Sequence, residues 1–300
     1  MLSILIPAYN YNITKLVSDL YNQAKSSGVD FEIIAMEDGS KHFVEENSKI
    51  KELDFVQHIV LPQNIGRSAC RNRLADMAIY DYLIFIDCDA QILHNDYITR
   101  YLTRCAKNVI ISGGTTYNPA ENNPAYSLRL KYGRERECFD KVIKNTKFYF
   151  TTFNFLIYKE LFQKVRFDET LIGYGCEDMI FGLQLKQLGY QPHIFNNQLI
   201  HTGLDENKIY LQKTENFIKN LFQLHQSGKF PTLNTESRVL DAFIKLKKNH
   251  FVALFNLFFK ITKSLIIRQI TSKNPSLFLL DILKLGMLCN ISLQKTVKLT

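Results

Sequence analysis

Continuous apolar runs alternate with helically spaced apolar positions along the first part of the chain. Residues 2 to 6 read as a buried strand, and Leu16, Val17, Leu20, Tyr21 and Ala24 then recur at the 3.6-residue period of a helix with one apolar face. Further strands are predicted over Phe31 to Met36, Phe55 to Leu61 and Tyr82 to Ile86, with a helix over 67 to 79. Strands separated by helices predict an α/β fold whose sheet is mainly parallel and covered on both faces. After Ile110-Ile111-Ser112-Gly113-Gly114 the alternation breaks. Residues 115 to 147 are polar and read as a loop, with Pro119 and Pro124, before a basic helix, an insertion suited to an acceptor. Strand character resumes over Phe148 to Tyr158. A helix is expected from Glu177 to Leu188, ended by Gly189, with short strands over Gln191 to Phe195 and Gln198 to His201. Beyond about residue 206 the pattern is wholly helical, which predicts one domain over 1–205 and a helical extension over 206–300.

Charge sharpens that division. The net charge is +8, yet residues 241 to 300 hold ten Lys or Arg against Asp241 and Asp281, leaving 27 basic and 27 acidic residues before them. The excess belongs to the tail, which implies an acidic partner for the tail rather than for the domain. Nucleic acid is a poor candidate, because the tail is strongly apolar and the remainder is neutral. Six cysteines show no C-x-x-C spacing and no nearby histidine companions, which fits a reduced, cytoplasmic setting. The first residues lack a basic flank and a sufficiently long apolar run for a signal peptide, so they read as the first strand.

The most informative stretch is Leu83-Ile84-Phe85-Ile86-Asp87-Cys88-Asp89, an apolar strand ending in two carboxylates one residue apart. In open α/β sheets ligands bind beyond the carboxyl ends of the strands, and hard divalent cations that carry phosphates are held by one or two carboxylates. A solvated turn is the alternative. Asp38, beside Gly39-Ser40, closes the second strand and would lie on the same edge. A turn or helix cap explains it equally well. Asn64-Ile65-Gly66-Arg67-Ser68-Ala69-Cys70-Arg71-Asn72 opens the helix after the third strand, with Arg67 and Arg71 on one face. Guanidinium forks suit a diphosphate, although arginines on amphipathic helices are also commonly solvated. Later, the glycine-rich Phe167 to Asp178 segment ends in the adjacent carboxylates Glu177 and Asp178, a pair that a helix N-terminus also favours without any catalysis. His201 follows a short strand as a candidate ligand or a buried structural histidine.

These segments resemble the family 2 glycosyltransferases of the GT-A fold. The resemblance rests on Ile6-Pro7-Ala8-Tyr9-Asn10, on Glu37-Asp38-Gly39-Ser40, on the Asn64 to Asn72 block and on Asp87-Cys88-Asp89 as a D-x-D motif, in that order over about residues 1 to 115. The Gly173-Tyr174-Gly175-Cys176-Glu177-Asp178 segment is similar to a galactosyltransferase-type G-W-G-x-E-D motif, with Tyr174 where Trp is usual in a chain that contains no Trp. The resemblance implies a metal-dependent, inverting hexosyltransferase that moves sugar from a UDP-sugar to a hydroxyl of a glycan or lipid-linked glycan, in surface or capsular polysaccharide synthesis. It assigns the general base to Asp178 and an acceptor or donor-sugar contact to Glu177. Pro7, Tyr9, Asp38, Asn64, Arg67, Arg71, Asp87, Gly114 and Tyr174 would line the nucleotide-sugar site, with Asp38 on the uracil and Arg71 on the diphosphate. Asp87, Asp89 and His201 would hold Mn²⁺ or Mg²⁺.

Other classes fit less well. A haloacid-dehalogenase phosphatase would carry D-x-D-x-[T/V], and Gln91 stands at the last position. A sugar-phosphate nucleotidylyltransferase would show a Gly-rich loop after the first strand, where Pro7-Ala8-Tyr9-Asn10 stands instead. A non-catalytic glycan-binding scaffold of the same fold is opposed by retention of Asp87, Asp89, Glu177 and Asp178 together. In the tail, Leu254, Phe255, Phe258, Phe259, Leu265 and Ile266 follow helical spacing, with Asn256, Lys260 and Lys263 expected opposite. Asp281 and Lys284 interrupt the last apolar segment, so no stretch of spanning length is expected. An amphipathic tail of this kind suits peripheral attachment to an anionic membrane on its inner face. Packing on the domain or formation of a homodimer are the alternatives.

Overall fold

The computed structural model describes residues 1–145, 150–171 and 173–297. Strands β1 (Leu2–Ala8), β2 (Phe31–Glu37), β3 (Val56–Val60) and β4 (Tyr82–Ile86) alternate with helices α1 (Thr14–Ser26), α2 (Val44–Ser48) and α3 (Arg67–Met77). Then follow β5 (Ala90–Ile92), α4 (Tyr97–Leu102), β6 (Ile110–Ser112), β7 (Thr115–Thr116), α5 (Ser127–Arg136) and α6 (Phe139–Asn145). Next come β8 (Asn154–Tyr158), α7 (Lys159–Val165), α8 (Glu177–Gln187), β9 (His193–Ile194) and β10 (Leu199–His201). The remainder is helical: α9 (Asn207–Ser227), α10 (Leu233–Glu236), α11 (Arg238–Lys248), α12 (Val252–Ile270) and α13 (Leu277–Val297).

The chain divides into two compact units. The first holds residues 1–119, 134–171 and 177–203, and the second holds 120–133, 172–176 and 204–300. In the first unit a seven-stranded sheet runs in the order β3-β2-β1-β4-β8-β6-β9, and a three-stranded sheet in the order β5-β10-β7. Strands β3, β2, β1 and β4 are parallel. β8 runs antiparallel to both β4 and β6. The sheet is therefore mixed but mostly parallel, as the apolar runs predict. A strand buried on both faces reads the same in either direction, so the reversal of β8 leaves no mark on its pattern. The expected strand from Phe148 begins within 146–149, which lie outside the described residues, as does Ile172.

Alternate residues of each strand face opposite layers. Ile4, Ile6, Ile33, Ala35, Ile84 and Ile86 pack with Leu16, Val17 and Leu20 of α1. Leu5, Ile34, Met36, Leu83 and Phe85 pack with Leu74 of α3, Phe162 of α7 and Phe181 of α8. Because the order passes from β2 through β1 to β4, the chain leaves β1 on one side and reaches β4 on the other. The crevice of such a sheet opens at the carboxyl ends of these strands.

One buried amide fixes the far side of that crevice. Asn154 opens β8 and is fully buried. Its Oδ1 accepts hydrogen bonds from the Tyr97 and Tyr101 hydroxyls at 2.7 Å each. Its Nδ2 donates to the carbonyls of Gly114 at 3.1 Å and Asn197 at 2.8 Å. All four side-chain valences of the amide are used.

In the second unit, α12 packs on α13, and α13 also packs on α9 and α11. A Cβ on Gly286 would lie 2.2 Å from the ring of Phe259, so this glycine permits the close crossing of α12 and α13. Two tail expectations are corrected here. Asn256 is 5% exposed and belongs to the packed face of α12, not to a polar face with Lys260 and Lys263. Among the described residues one stretch, Leu277–Gln294 of α13, is long and apolar enough to cross a membrane, with 33% of it buried, because its aliphatic residues outweigh Asp281 and Lys284.

Replacing Asn154 by Leu removes the partner of the Tyr97 and Tyr101 hydroxyls and of the Asn197 carbonyl in the interior, while the Gly114 carbonyl keeps the Leu199 N–H at 3.4 Å. We expect a loss of about 3 kcal/mol of stability, since each unsatisfied buried group costs roughly 1–3 kcal/mol, measured as a shift of the urea midpoint with unchanged slope.

Candidate functional site

The site is built at the carboxyl edge of β1, β2 and β4. Asp38 follows β2 and points at the start of α3, where its two carboxylate oxygens accept the backbone N–H of Ile65 at 2.6 Å and of Gly66 at 3.1 Å. Asn64 Nδ2 donates to the Asp38 carbonyl at 2.9 Å. Burial raises the Asp38 carboxyl above its usual range, and these two amides oppose the rise without cancelling it. Gly39 has φ +71°, and a Cβ there would lie 2.3 Å from the Asn64 nitrogen, so the turn requires glycine.

Beneath Asp38, Glu37 is fully buried. It accepts hydrogen bonds from Ser40 Oγ at 2.5 Å and Asn47 Nδ2 at 2.6 Å, and lies 3.3 Å from His58 Nε2. Burial alone would raise this carboxyl, but the bonds from His58, Ser40 and Asn47 bring it below its usual value. Ser40 Oγ in turn accepts the Asn10 N–H at 2.9 Å, and Asn10 Oδ1 accepts those of Lys41 and His42. The loops after β1 and β2 are thus one hydrogen-bonded body, with Pro7 partly buried and Tyr9 projecting at 53% exposure.

Helix α3 carries both arginines. Arg71 is 1% exposed, and its Nη2 lies 2.5 Å from Asp87 Oδ1 at the end of β4. Its Nε and Nη1 have no hydrogen-bond partner among the described residues. The guanidinium rests 5.5 Å from the centre of the Phe167 ring. Arg67, one turn earlier, is 47% exposed and lies 3.7 Å from Glu177 Oε1. Asn72 holds the Phe167 segment in place, accepting the Phe167 N–H at 3.0 Å and donating to its carbonyl at 3.0 Å and to Glu169 at 2.7 Å. Helix α8 begins at Glu177, so both acidic side chains occupy its first turn. Asp178 is partly buried, and its carboxyl is pushed up to about 7 by desolvation first and by the negative charge of Glu177 second, with Arg71 opposing.

Asp89 belongs to the second sheet's end of the site. β10 pairs antiparallel with β5 in the register His201↔Ala90, which brings His201 beside Asp89, Nε2 to Oδ2 at 3.6 Å. The imidazole packs against the rings of Tyr117 and Phe153, at 5.6 and 5.0 Å between centres. Thr202 donates its N–H and its Oγ1 hydroxyl to the Asp89 carbonyl at 2.9 and 2.6 Å, and its hydroxyl lies 2.9 Å from that of Tyr11. A Cβ on Gly203 would sit 2.1 Å from Asp89 Oδ2. Glycine is needed here because the backbone passes directly over the carboxylate.

The structure therefore joins Asp38, Arg67, Arg71, Asp87, Glu177 and Asp178 through α3, and Asp89 with His201 through the β5–β10 pair. Gly114, with φ +87° and packed on Phe139, lines the first unit beside Asn154. Tyr174 belongs to the second unit, where Lys213 lies 4.9 Å from its ring centre and Asn220 Nδ2 donates to its carbonyl at 3.4 Å. Gly175 there has φ +99° and touches Phe217. Among the described residues, no three His, Cys, Asp or Glu side chains close into a metal site. Asp89 with His201 instead offers one oxygen and one nitrogen, and Asp87 is turned to Arg71. Sequence reasoning missed Tyr11, Asn154, Thr202 and Gly203, and named Asn72 only as the end of the Asn64–Asn72 block, without its role on Phe167 and Glu169. Only the His201-Thr202-Gly203 run after a predicted strand hinted at Thr202 and Gly203.

The family described as glycosyl transferase family 2 matches residues 3–166. No curated protein sequence matches the chain. The structure is similar to that of the mannosyltransferase PcManGT from Pyrobaculum calidifontis, solved with GDP-Man and Mn²⁺, at TM-score 0.59 and 13% identity over 95% of this chain and 86% of that one. It is also similar to S. aureus TarS 1–349, at TM-score 0.49 and 14% identity over 98% and 91%. The mixed sheet, its strand order and this likeness are those of a GT-A fold.

Replacing Glu177 by Gln removes the negative neighbour of Asp178, so the Asp178 carboxyl should titrate below about 7 in an NMR titration of labelled aspartate. The sign for stability follows. A raised folded-state value stabilises fully below the unfolded carboxyl pKa and is lost as pH rises through the folded one, so stability falling between about pH 4 and pH 7 should fall less steeply in Glu177→Gln.

Proposed function

The chain belongs to glycosyl transferase family 2, and from that membership and the geometry around α3 we propose a metal-dependent transfer, with inversion, of a sugar from a UDP-sugar to an acceptor hydroxyl. The observation that carries the proposal is the gathering of two arginines and three carboxylates at the strand ends: Arg71 lies 2.5 Å from Asp87 and Arg67 3.7 Å from Glu177, beside Asp178 in the first turn of α8, whose carboxyl is pushed up to about 7 by burial and by Glu177. A general base works best when its pKa lies near the operating pH.

In this reading the acceptor oxygen attacks the anomeric carbon and passes its proton to an Asp178 carboxylate oxygen. The new carbon–oxygen bond forms as the bond from the anomeric carbon to the phosphate oxygen breaks on the opposite face, and the nucleoside diphosphate leaves with the electron pair. Arg67, on the solvent side of α3, meets the diphosphate charge. Arg71, expected on the diphosphate, is 1% exposed and paired with Asp87, so in this reading it fixes Asp87, and Glu177 orders the acceptor hydroxyl or the donor sugar while keeping the Asp178 proton affinity high. Asp38 accepts from the base through lone pairs that Ile65 and Gly66 leave open, as a carboxylate has about four such sites. Tyr9 and Asn64 flank that base.

The donor set fits a hard divalent ion. Asp89 and His201 would supply two ligands, and substrate phosphates complete such sites in place of a closed protein cage. Asp89 and His201, with Asp87, would hold Mn²⁺ or Mg²⁺, and such an ion would supply positive charge for the departing diphosphate. The solved mannosyltransferase complex contains Mn²⁺, in support of a metal here. The acceptor is a hydroxyl of a glycan or lipid-linked glycan in a surface or capsular polysaccharide pathway.

Asp178→Asn should keep donor affinity within about twofold while lowering turnover by at least a hundredfold, the typical contribution of a general base being 10²–10⁴. Isothermal titration with the donor and a coupled assay for released nucleoside diphosphate read the two effects, and normal turnover in this variant would overturn the base assignment. Asp89→Ala should abolish the Mn²⁺-dependent part of UDP binding. The same titration with GDP in place of UDP tests the base, and tighter binding of GDP would replace UDP-sugar by GDP-sugar in the proposal.

A further inference from the structure

Helix α12 is apolar on two opposite faces. Val252, Asn256, Phe259, Ile266 and Ile270 face the interior of the helical unit. On the other side Phe251 at its N-cap is 53% exposed, Leu254 62%, Leu257 58%, Phe258 54%, Ile261 73% and Leu265 68%. Steps of three and four residues from 251 through 254, 258 and 261 to 265 place these side chains in one stripe. Scattered exposed apolar residues are ordinary, but a contiguous stripe of six along one helix marks an interaction surface.

Charge decides what covers it. Between 237 and 280 the chain holds eight Lys or Arg and one acidic residue, Asp241. That aspartate is already paired with Lys245 at 2.7 Å. Lys247, Lys248, Lys260 and Arg268 are exposed. Arg268 lies three residues after Leu265 and Lys260 three after Leu257, so both border the stripe. Lys247 and Lys248 precede Phe251 at the end of α11. A second copy laid on this face would set these cations against one another with no carboxylate to answer them. A surface that is apolar within and anionic at its rim matches both features at once. Long basic side chains beside such a stripe extend their charged ends to the rim while their stems stay in the apolar layer.

We propose that the Phe251–Leu265 face of α12 docks on the surface of a bilayer containing anionic lipids, lying in the interface with Lys247, Lys248, Lys260 and Arg268 at the headgroups. The proposal is independent of the donor, the metal and the base assigned above. It differs from insertion of α13, because the buried side chains of α13, among them Leu280 and Leu283, form the interior against α12 and α9.

The test is sedimentation of the full chain with vesicles of phosphatidylcholine alone and of phosphatidylcholine with phosphatidylglycerol. The wild type should partition onto the anionic vesicles at least tenfold better and be released by high salt, since each basic residue near an anionic surface adds about 1 kcal/mol. The triple variant Leu254→Ser, Ile261→Ser, Leu265→Ser should lower that partition by at least tenfold, a single buried Leu or Ile being worth about that much. These side chains are exposed, so the circular dichroism melt should be unchanged. A second variant, Lys247→Glu with Lys248→Glu, should lose the preference for anionic vesicles. Failure of the wild type to bind anionic vesicles overturns the proposal, as does binding by the triple variant equal to that of the wild type. Resistance of binding to salt overturns it in favour of an inserted α13. A dimer in light scattering that the triple variant dissolves, without vesicle binding by the wild type, overturns it in favour of a second copy.

Discussion

Arg71 is a cation withdrawn from water, and such a charge is tolerated only against a fixed opposite charge. Asp87 at the end of β4 supplies that charge at 2.5 Å, and the Phe167 ring covers the guanidinium. The pairing draws α3 onto the edge of the sheet, and α3 then determines where its other residues lie. The two residues that lead into it receive Asp38 through the amides of Ile65 and Gly66, and Asn72 holds the Phe167–Glu169 segment that leads towards α8. Removing the arginine would leave Asp87 and the two carboxylates of α8 with less positive charge to balance them.

Acid–base chemistry in the site follows from unequal surroundings of similar groups. Glu37 and Asp178 are both poorly solvated carboxyls. Glu37 receives hydrogen bonds from Ser40 and Asn47 with His58 alongside, and stays charged as the hub of two loops. Asp178 faces another carboxylate in Glu177 and holds its proton towards neutrality. The first arrangement gives rigidity and the second gives a group able to exchange a proton. Separation of two such environments is how one protein keeps structural and reactive carboxylates distinct.

Much of the first unit was legible in the sequence because its strands are unbroken apolar runs and α1 has an apolar face. The Asp87-Cys88-Asp89 and Glu177-Asp178 pairs were legible as chemistry because carboxylates at a strand end or helix start are conspicuous. The strands β5 and β7, three and two residues long, are too short for a pattern to stand out, so only their pairing with β10 defines them. Grouping of 120–133 and 172–176 with 204–300 depends on contacts distant in sequence, so Tyr174 is assigned to the second unit and Glu177 to the first. Asn72 was legible only as the end of a motif block, not by what it holds, and Asn154 could not be read at all. A buried amide matters through its partners, and nothing in its local sequence announces them. The two-faced character of α12 was half visible, since periodicity shows where apolar residues recur but not which recurrence is covered.

The glycine at 203 has a consequence for how the site can be explored. Asp89 is held in position by a backbone pressed so close that a methyl group has no room. A survey that truncates side chains one at a time records what is lost when atoms are taken away, and position 203 has none to take. Its contribution is an empty volume. The same reasoning applies to drift over generations: the carboxylate could pass to the isosteric Asn without needing more room, whereas the residue above it admits no enlargement of any kind, so the less conspicuous of the two positions is the more tightly constrained.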